Sequence, residues 1–186
     1  VSFFPVHHKN ATQKKFWLLA NACRRDHRIQ PFDVVHGFWA IPCGATALAL
    51  GKYLGIPSIV SFLGGETACL PRIPYGNMVR RSTRMVTLWV SRYADELTTL
   101  THHQTSELRK AGCVRQRVNV IPFGADTNLF PSSKKDITTR PLRILHVANI
   151  HPLKDQSTLL RVFQAVSQSV DARLRIVGAD QSGGSI

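Results

Sequence analysis

Short apolar runs rich in β-branched and aromatic residues recur along the chain, and a stretch of helical spacing separates each from the next. "DVVHGFW" (33–39) is followed by "IPCGATALALGKYLG" (41–55) and then by "IPSIVSFLGG" (56–65). A helical stretch over 77–93 leads into "DELTTL" (95–100), and "HQTSELRKAG" (103–112) leads into "RVNVIPFG" (117–124). Strands joined through helices pair in parallel, because each helix carries the chain back to the same end of the sheet. The pattern predicts an α/β chain of βαβ units, with ligand loops at the carboxyl ends of the strands.

Those ends carry the unusual residues: Phe38 and Trp39, Leu63 to Glu66, Phe123 and Gly124, and the turn from Asn149 to Lys154. Two flanking segments fit the pattern as well. "VSFFPV" (1–6) reads as a strand, and residues 13–27 carry Phe16, Leu19, Ala20 and Cys23 at helical spacing. In the 41–55 helix, Pro42 is expected near the first turn and Gly55 just past the end.

Composition changes at residues 122–141, which are polar, punctuated by proline and without period, as a linker would be. The alternation then restarts with "LRILHVAN" (142–149), a helical stretch from Asp155 and "ARLRIVG" (172–178). Two domains follow: residues 1–137, with the linker from about 122, and residues 138–186, the first βαβ unit of a second domain.

Charge bears on the ligand. The chain has 186 residues, with 24 Lys and Arg against 11 Asp and Glu, a formal net charge of +13. Such a balance favours phosphate-bearing ligands, an anionic membrane surface or nucleic acid. The basic residues are scattered and no nucleic-acid module with interleaved aromatics occurs, which argues against nucleic acid. Cys23, Cys43, Cys69 and Cys113 fit no metal or redox spacing and read as reduced thiols of a cytoplasmic protein, the alternative being a secreted protein with two disulfides. The paired histidines 7–8 and 102–103 are poor chelators, so neither a metal nor a cofactor is expected. The uncharged run at residues 34–51 contains three glycines and Pro42 and is too mixed for a membrane span.

Three motifs admit chemistry, each beside a plainer reading. "FLGGE" ends a strand with Gly64, Gly65 and Glu66: paired glycines admit φ > 0 and close approach of backbone N–H groups to a ligand, or simply make a turn. "NIHPLKD" places Lys154 where a helix should begin, a position that favours acids unless an anion arrives from outside; the alternative is a solvated lysine. The 77–93 stretch puts Met78, Met85, Val86, Trp89 and Tyr93 on one face, with Arg80, Arg81, Arg84 and Arg92 mostly elsewhere. It is either a core helix with a solvated basic face or a helix that rests on an anionic membrane.

In order and spacing, "DVVHGFWAIPCGATALALGKYLGIPSIVSFLGGE", "ADELTTLTHHQTSELRKAG", "VNVIPFGADTNLF", "LRILHVANIHPLKDQSTLLRVF" and "LRIVG" resemble the retaining glycosyltransferases of family 4. The resemblance implies the GT-B architecture, a Rossmann-like parallel-sheet domain followed by the beginning of a second one. It implies a nucleotide-sugar donor held mainly by the second domain and an acceptor (sugar, lipid-linked or small molecule) held mainly by the first. Transfer would be of a hexose with retention, for glycan, glycolipid or polysaccharide synthesis, and without metal. Gly64, Gly65 and Glu66 match the family's catalytic loop, and Asn149, Lys154 and Gly178 its donor side, with Lys154 on the leaving diphosphate. This sequence has Leu63 where the family often has His, Asn149 where it often has Arg, and Phe123 where it often has Asn. The family's two-glutamate donor motif would lie beyond Ile186 and its glycine-rich first loop before Val1, so the chain reads as an interior piece. Expected location is the cytoplasm, with a peripheral place at the inner membrane face left open by the basic helix. The rival readings are a basic nucleic-acid-binding protein and a non-catalytic sugar-nucleotide-binding protein.

Overall fold

The computed structural model describes residues 12–73, 75–113, 117–131 and 141–181, and the expected strand at 1–6 lies outside them. The chain forms two compact units, residues 1–123 and 124–186.

In the first unit, helix α1 (Thr12–Ile29) precedes strand β1 (Val35–Phe38). Helix α2 (Ala45–Leu54), strand β2 (Ser58–Phe62), helix α3 (Arg81–Tyr93), strand β3 (Glu96–Thr99), helix α4 (His102–Lys110) and the short strand β4 (Asn119–Val120) follow. The sheet is parallel throughout, in the order β1-β2-β3-β4, with Phe38 opposite Ser61 and Ser61 opposite Thr98. Its two faces differ. One carries Val60, Phe62 and Leu97 and packs with Val90 and Leu108 of the crossover helices and with Ala94 just after α3 in a closed core. On the other, His36 Nε2 lies 2.8 Å from Ser61 Oγ and Thr98 Oγ1 donates to the same Ser61 oxygen at 2.7 Å. Asn119 extends this polar row by donating to Glu96 Oε2.

Helix ends follow local chemistry where the sequence supplies it. Gly55 and Gly112 end α2 and α4 in left-handed conformations, with φ of 73° and 110°. Thr101 caps α4 by accepting from Gln104 N at 3.1 Å. Other boundaries are set by tertiary contacts. Pro42 is not in the first turn of α2: a π-type turn spans Ala40–Gly44, Ile41 inside it is extended, and the α-helix begins only at Ala45. Gly44 fits this turn because a Cβ there would stand 2.6 Å from the Trp39 carbonyl oxygen and 2.8 Å from Val60 Cγ1. Helix α3 starts at Arg81 rather than residue 77: Arg80 is still extended, with φ −101° and ψ 136°, and the Asn77 and Met78 N–H groups tie the preceding loop to Gly65 O and Ala68 O. The strand expected over 117–124 contracts to two residues, extended only by Ile121 N donating to Thr99 O.

Helix α3 also turns the opposite way from a core helix. Its inward face is Thr87, Val90 and Ser91, while Met85, Val86, Trp89 and Tyr93 are exposed. The inward hydroxyls are satisfied: Thr87 Oγ1 accepts from Asn77 Nδ2 at 3.0 Å and Ser91 Oγ donates to Leu88 O at 2.8 Å, so burying them is not costly.

In the second unit, strand β5 (Leu142–Val147) leads through a 3₁₀ turn (Pro152–Lys154) and helix α5 (Gln156–Ser167) to strand β6 (Ala172–Val177). The two strands pair in parallel, Leu142 opposite Ala172 through Val147 opposite Val177. Pairing continues past the carboxyl ends of both strands, with Ile150 N donating to Ala179 O and Gln181 N to Ile150 O.

Candidate functional site

In the first unit the loop after β2 builds the site. Glu66 is only 2% exposed, and its carboxylate folds back on its own loop. Oε1 accepts from Leu63 N at 3.1 Å and Oε2 from Gly64 N at 2.7 Å. The Gly64 N–H is therefore taken by Glu66 rather than offered to a ligand. Neither Gly64 nor Gly65 has positive φ, so the conformational freedom that paired glycines admit is not used here. Gly65 is needed for packing instead, since a Cβ there would meet the Tyr75 ring at 2.7 Å. Positive φ falls at Gly76 (103°), where a Cβ would overlap the Ala68 carbonyl oxygen.

Gln104, 8% exposed at the start of α4, was not singled out by its sequence context. It clamps two loops: Nε2 donates to Gly64 O at 3.1 Å, and Oε1 accepts from Leu100 N at 3.0 Å. Leu63 and Gly64 thus form a braced wall with a hollow on either side. One hollow, about 620 Å³, is lined by Trp39, Gly65, Glu66, Tyr75, Arg80 and Thr83 among others. The second, about 480 Å³, is lined by Thr67, Cys69, Leu100, Thr101, His103 and Glu107 among others. Trp39 sits at the end of β1 with φ 63°, a conformation that a bulky residue rarely adopts, and it projects half-exposed at the first hollow. Trp39 stood at a noted strand end in the sequence; Tyr75 carried no signal there, and a local antiparallel bridge between Leu70 and Tyr75 places it.

In the second unit, Asn149 and Gly178 are brought together. A Cβ on Gly178 would overlap the Ala148 carbonyl oxygen and stand 3.0 Å from Asn149 N, so glycine lets the two strand ends close. Asn149 Nδ2 donates to Gln181 Oε1 at 3.1 Å. Buried Gln156 ties the start of α5 to this corner: Nε2 donates to Asn149 O at 2.9 Å. Lys154 lies one step before the position expected for it. It closes the 3₁₀ turn, exposed, while Asp155 is the N-cap of α5 and accepts from Thr158 N at 3.2 Å. The helix start therefore has its acid, and the lysine stands beside it on the preceding turn. His146 Nε2, buried on β5, has no hydrogen-bond partner among the described residues.

Among the described residues, no three His, Cys, Asp or Glu side chains are grouped to hold a metal. No described helix is long and apolar enough to cross a membrane.

Residues 5–124 match the family model described as a glycosyl transferase 4-like domain. No curated protein matches the chain. Among solved structures, HepE of Anabaena in complex with UDP-glucose superposes with a TM-score of 0.66 at 17% identity, covering 90% of this chain and 45% of that one. Sucrose-phosphate synthase of Thermosynechococcus elongatus gives 0.59 at 12% identity, covering 95% and 53%. A Listeria monocytogenes protein with a provisional UDP-N-acetylglucosamine 2-epimerase name gives 0.55 at 13%, covering 93% and 47%. The chain spans about half the length of these structures, and the likeness is one of fold.

Proposed function

Because the chain belongs to the glycosyl transferase 4-like family, whose model matches residues 5–124, we propose that it is part of an enzyme moving a hexose from a nucleotide-sugar donor to an acceptor with retention. Its fold is the GT-B type, built from Rossmann-like parallel sheets. In the proposed reaction an acceptor hydroxyl oxygen bonds to the sugar's anomeric carbon, the bond from that carbon to the diphosphate breaks, and the hydroxyl proton leaves with the diphosphate oxygen.

The observation that carries the reading is the braced loop after β2 beside the larger hollow. Such a wall, held by Glu66 and Gln104, supplies fixed backbone geometry for an acceptor. The Trp39 and Tyr75 rings give apolar surface for a sugar face, and Arg80 gives a charge for an anionic group on the acceptor. Glu66 spends both carboxylate oxygens on the loop, so its proposed role is to position Gly64 and Gly65. On the donor side, Asn149 and Gly178 form the floor and the Lys154 ammonium meets the diphosphate, where fixed positive charge lowers the barrier to departure. The four free thiols fit a reducing compartment, so the proposed location is cytoplasmic.

A second reading, nucleotide-sugar binding without transfer, draws on one observation. The Asn149 amide is engaged with Gln181 and brings no charge to the donor side.

Titration of the ¹⁵N-labelled chain with uridine, guanosine and adenosine diphosphate sugars tests the donor side. Amide shifts should concentrate at Asn149, Lys154 and Gly178 for at least one of them. Shifts absent from that corner for every nucleotide sugar, both here and in a longer protein containing this chain, would overturn the donor assignment. Transfer without hydrolysis, measured in a longer protein containing this chain, separates the two readings.

A further inference from the structure

The outward face of α3 has no use in the site just described. Met85 is 71% exposed, Trp89 41% and Tyr93 48%, with Val86 beside them. These residues follow helical spacing, so they form one continuous stripe on the helix surface. Cations surround the stripe rather than oppose it. Arg92 and, from α2, Lys52 both lie over the Tyr93 ring, at 5.6 and 5.7 Å. Trp89 and Tyr93 are neighbours, with ring centroids 6.3 Å apart. The patch continues across α2 to exposed Tyr53, whose hydroxyl accepts from Arg24 of α1 at 2.8 Å. Helices α2 and α3 contain no acidic residue. Asp95, which follows α3, turns its carboxylate to the Ser58 N–H and hydroxyl, 2.8 Å from each. On α1, Asp26 is paired with Arg25.

This face offers aromatic rings, aliphatic side chains and cations, and α2 and α3 bring no carboxylate that an anionic surface would repel. Amphipathic aromatics rimmed by Arg and Lys suit the boundary between acyl chains and anionic headgroups. We propose that the outer face of α2 and α3 docks on an anionic lipid surface, with Met85, Val86 and Trp89 entering the acyl boundary. Tyr53 and Tyr93 lie at headgroup level, and Lys52, Arg81 and Arg92 meet lipid phosphates. This inference stands apart from the transfer reaction, because none of these residues lines either hollow.

The net charge of +13 alone would draw the chain weakly to any anionic vesicle, so the test has to read insertion. The full chain with Trp17→Phe and Trp39→Phe keeps Trp89 as its sole tryptophan. It is mixed with vesicles of phosphatidylcholine, or of phosphatidylcholine with phosphatidylglycerol, each with and without brominated acyl chains. The Trp89 emission should shift to the blue and be quenched by bromine only when phosphatidylglycerol is present. Met85→Ser with Val86→Ser should weaken co-sedimentation at least about tenfold while leaving the circular dichroism unchanged, since both positions are exposed. Lys52→Gln with Arg92→Gln should weaken it by a similar factor and flatten its salt dependence. Binding without Trp89 quenching, or binding that survives the serine variant, would overturn the proposal. So would burial of Trp89 in a self-association that is insensitive to lipid, measured by sedimentation velocity.

Discussion

Replacing Glu66 separates a positioning role from a direct one. Its carboxylate accepts two backbone N–H bonds, at 3.1 and 2.7 Å, from a side chain 2% exposed. A hydrogen bond to a charged group is worth about 1.5–3 kcal/mol when buried. Leu63 is half-buried and Gly64 is exposed, so water can replace part of the loss once the carboxylate is gone. Glu66→Ala should then cost about 2–4 kcal/mol, counting the void left by a buried side chain. With a urea slope of about 2 kcal/mol per molar, the middle of the usual range, the unfolding midpoint should fall by roughly 1–2 M. Glu66→Gln keeps the shape but sets an amide NH₂ against one of the two N–H donors, and should lose about half as much. Urea titration followed by tryptophan fluorescence measures both, and Trp39 at the rim of the larger hollow reports the loop. If Glu66→Gln abolished transfer in a longer parent while neither variant moved the midpoint, the carboxylate would be acting on substrate and the bracing role would be wrong.

Lys154→Ala should leave the thermal melt unchanged, because the side chain is exposed, and should weaken binding of a nucleoside diphosphate sugar about 10- to 100-fold by calorimetry; unchanged affinity would return it to a solvated lysine. Gly178→Ala forces the Cβ into the Ala148 carbonyl and should cost the second unit about 2–4 kcal/mol, seen as faster hydrogen exchange at the Ala148, Ile150 and Gln181 amides, with those of β2 and β3 unaffected. Asp95 has its pKa held below the ordinary 3.8, first by the Ser58 N–H and then by the Ser58 hydroxyl. The folded value is the lower one, so this carboxylate's contribution is complete above 3.8 and disappears as pH falls toward the folded value; Asp95→Asn should flatten that acid limb in stability measured against pH.

Alternation of strand and helix, the parallel sheet it requires and the glycine ends at Gly55 and Gly112 all follow from local periodicity and backbone sterics, and the sequence alone carried them. So did the gathering of unusual residues at strand ends, since a βαβ path leaves its loops there. What local pattern could not supply was competition between partners. Asn77 and Met78 have helical spacing, but they belong to a loop tied to Gly65 and Ala68, the chain is still extended at Arg80, and α3 waits for Arg81. Gly64 and Gly65 were legible as special and not in their reason, which is Glu66 on one side and the Tyr75 ring on the other. Gln104 and Gln156 looked like ordinary helix residues until two loops closed on the first and the turn from Asn149 to His151 closed on the second. A hydrophobic stripe on a helix is a local property, but which stripe meets the sheet is decided by what fits beneath it. At α3 the small, internally bonded Thr87 and Ser91 fit with Val90, and the larger Met85, Trp89 and Tyr93 were left facing outward.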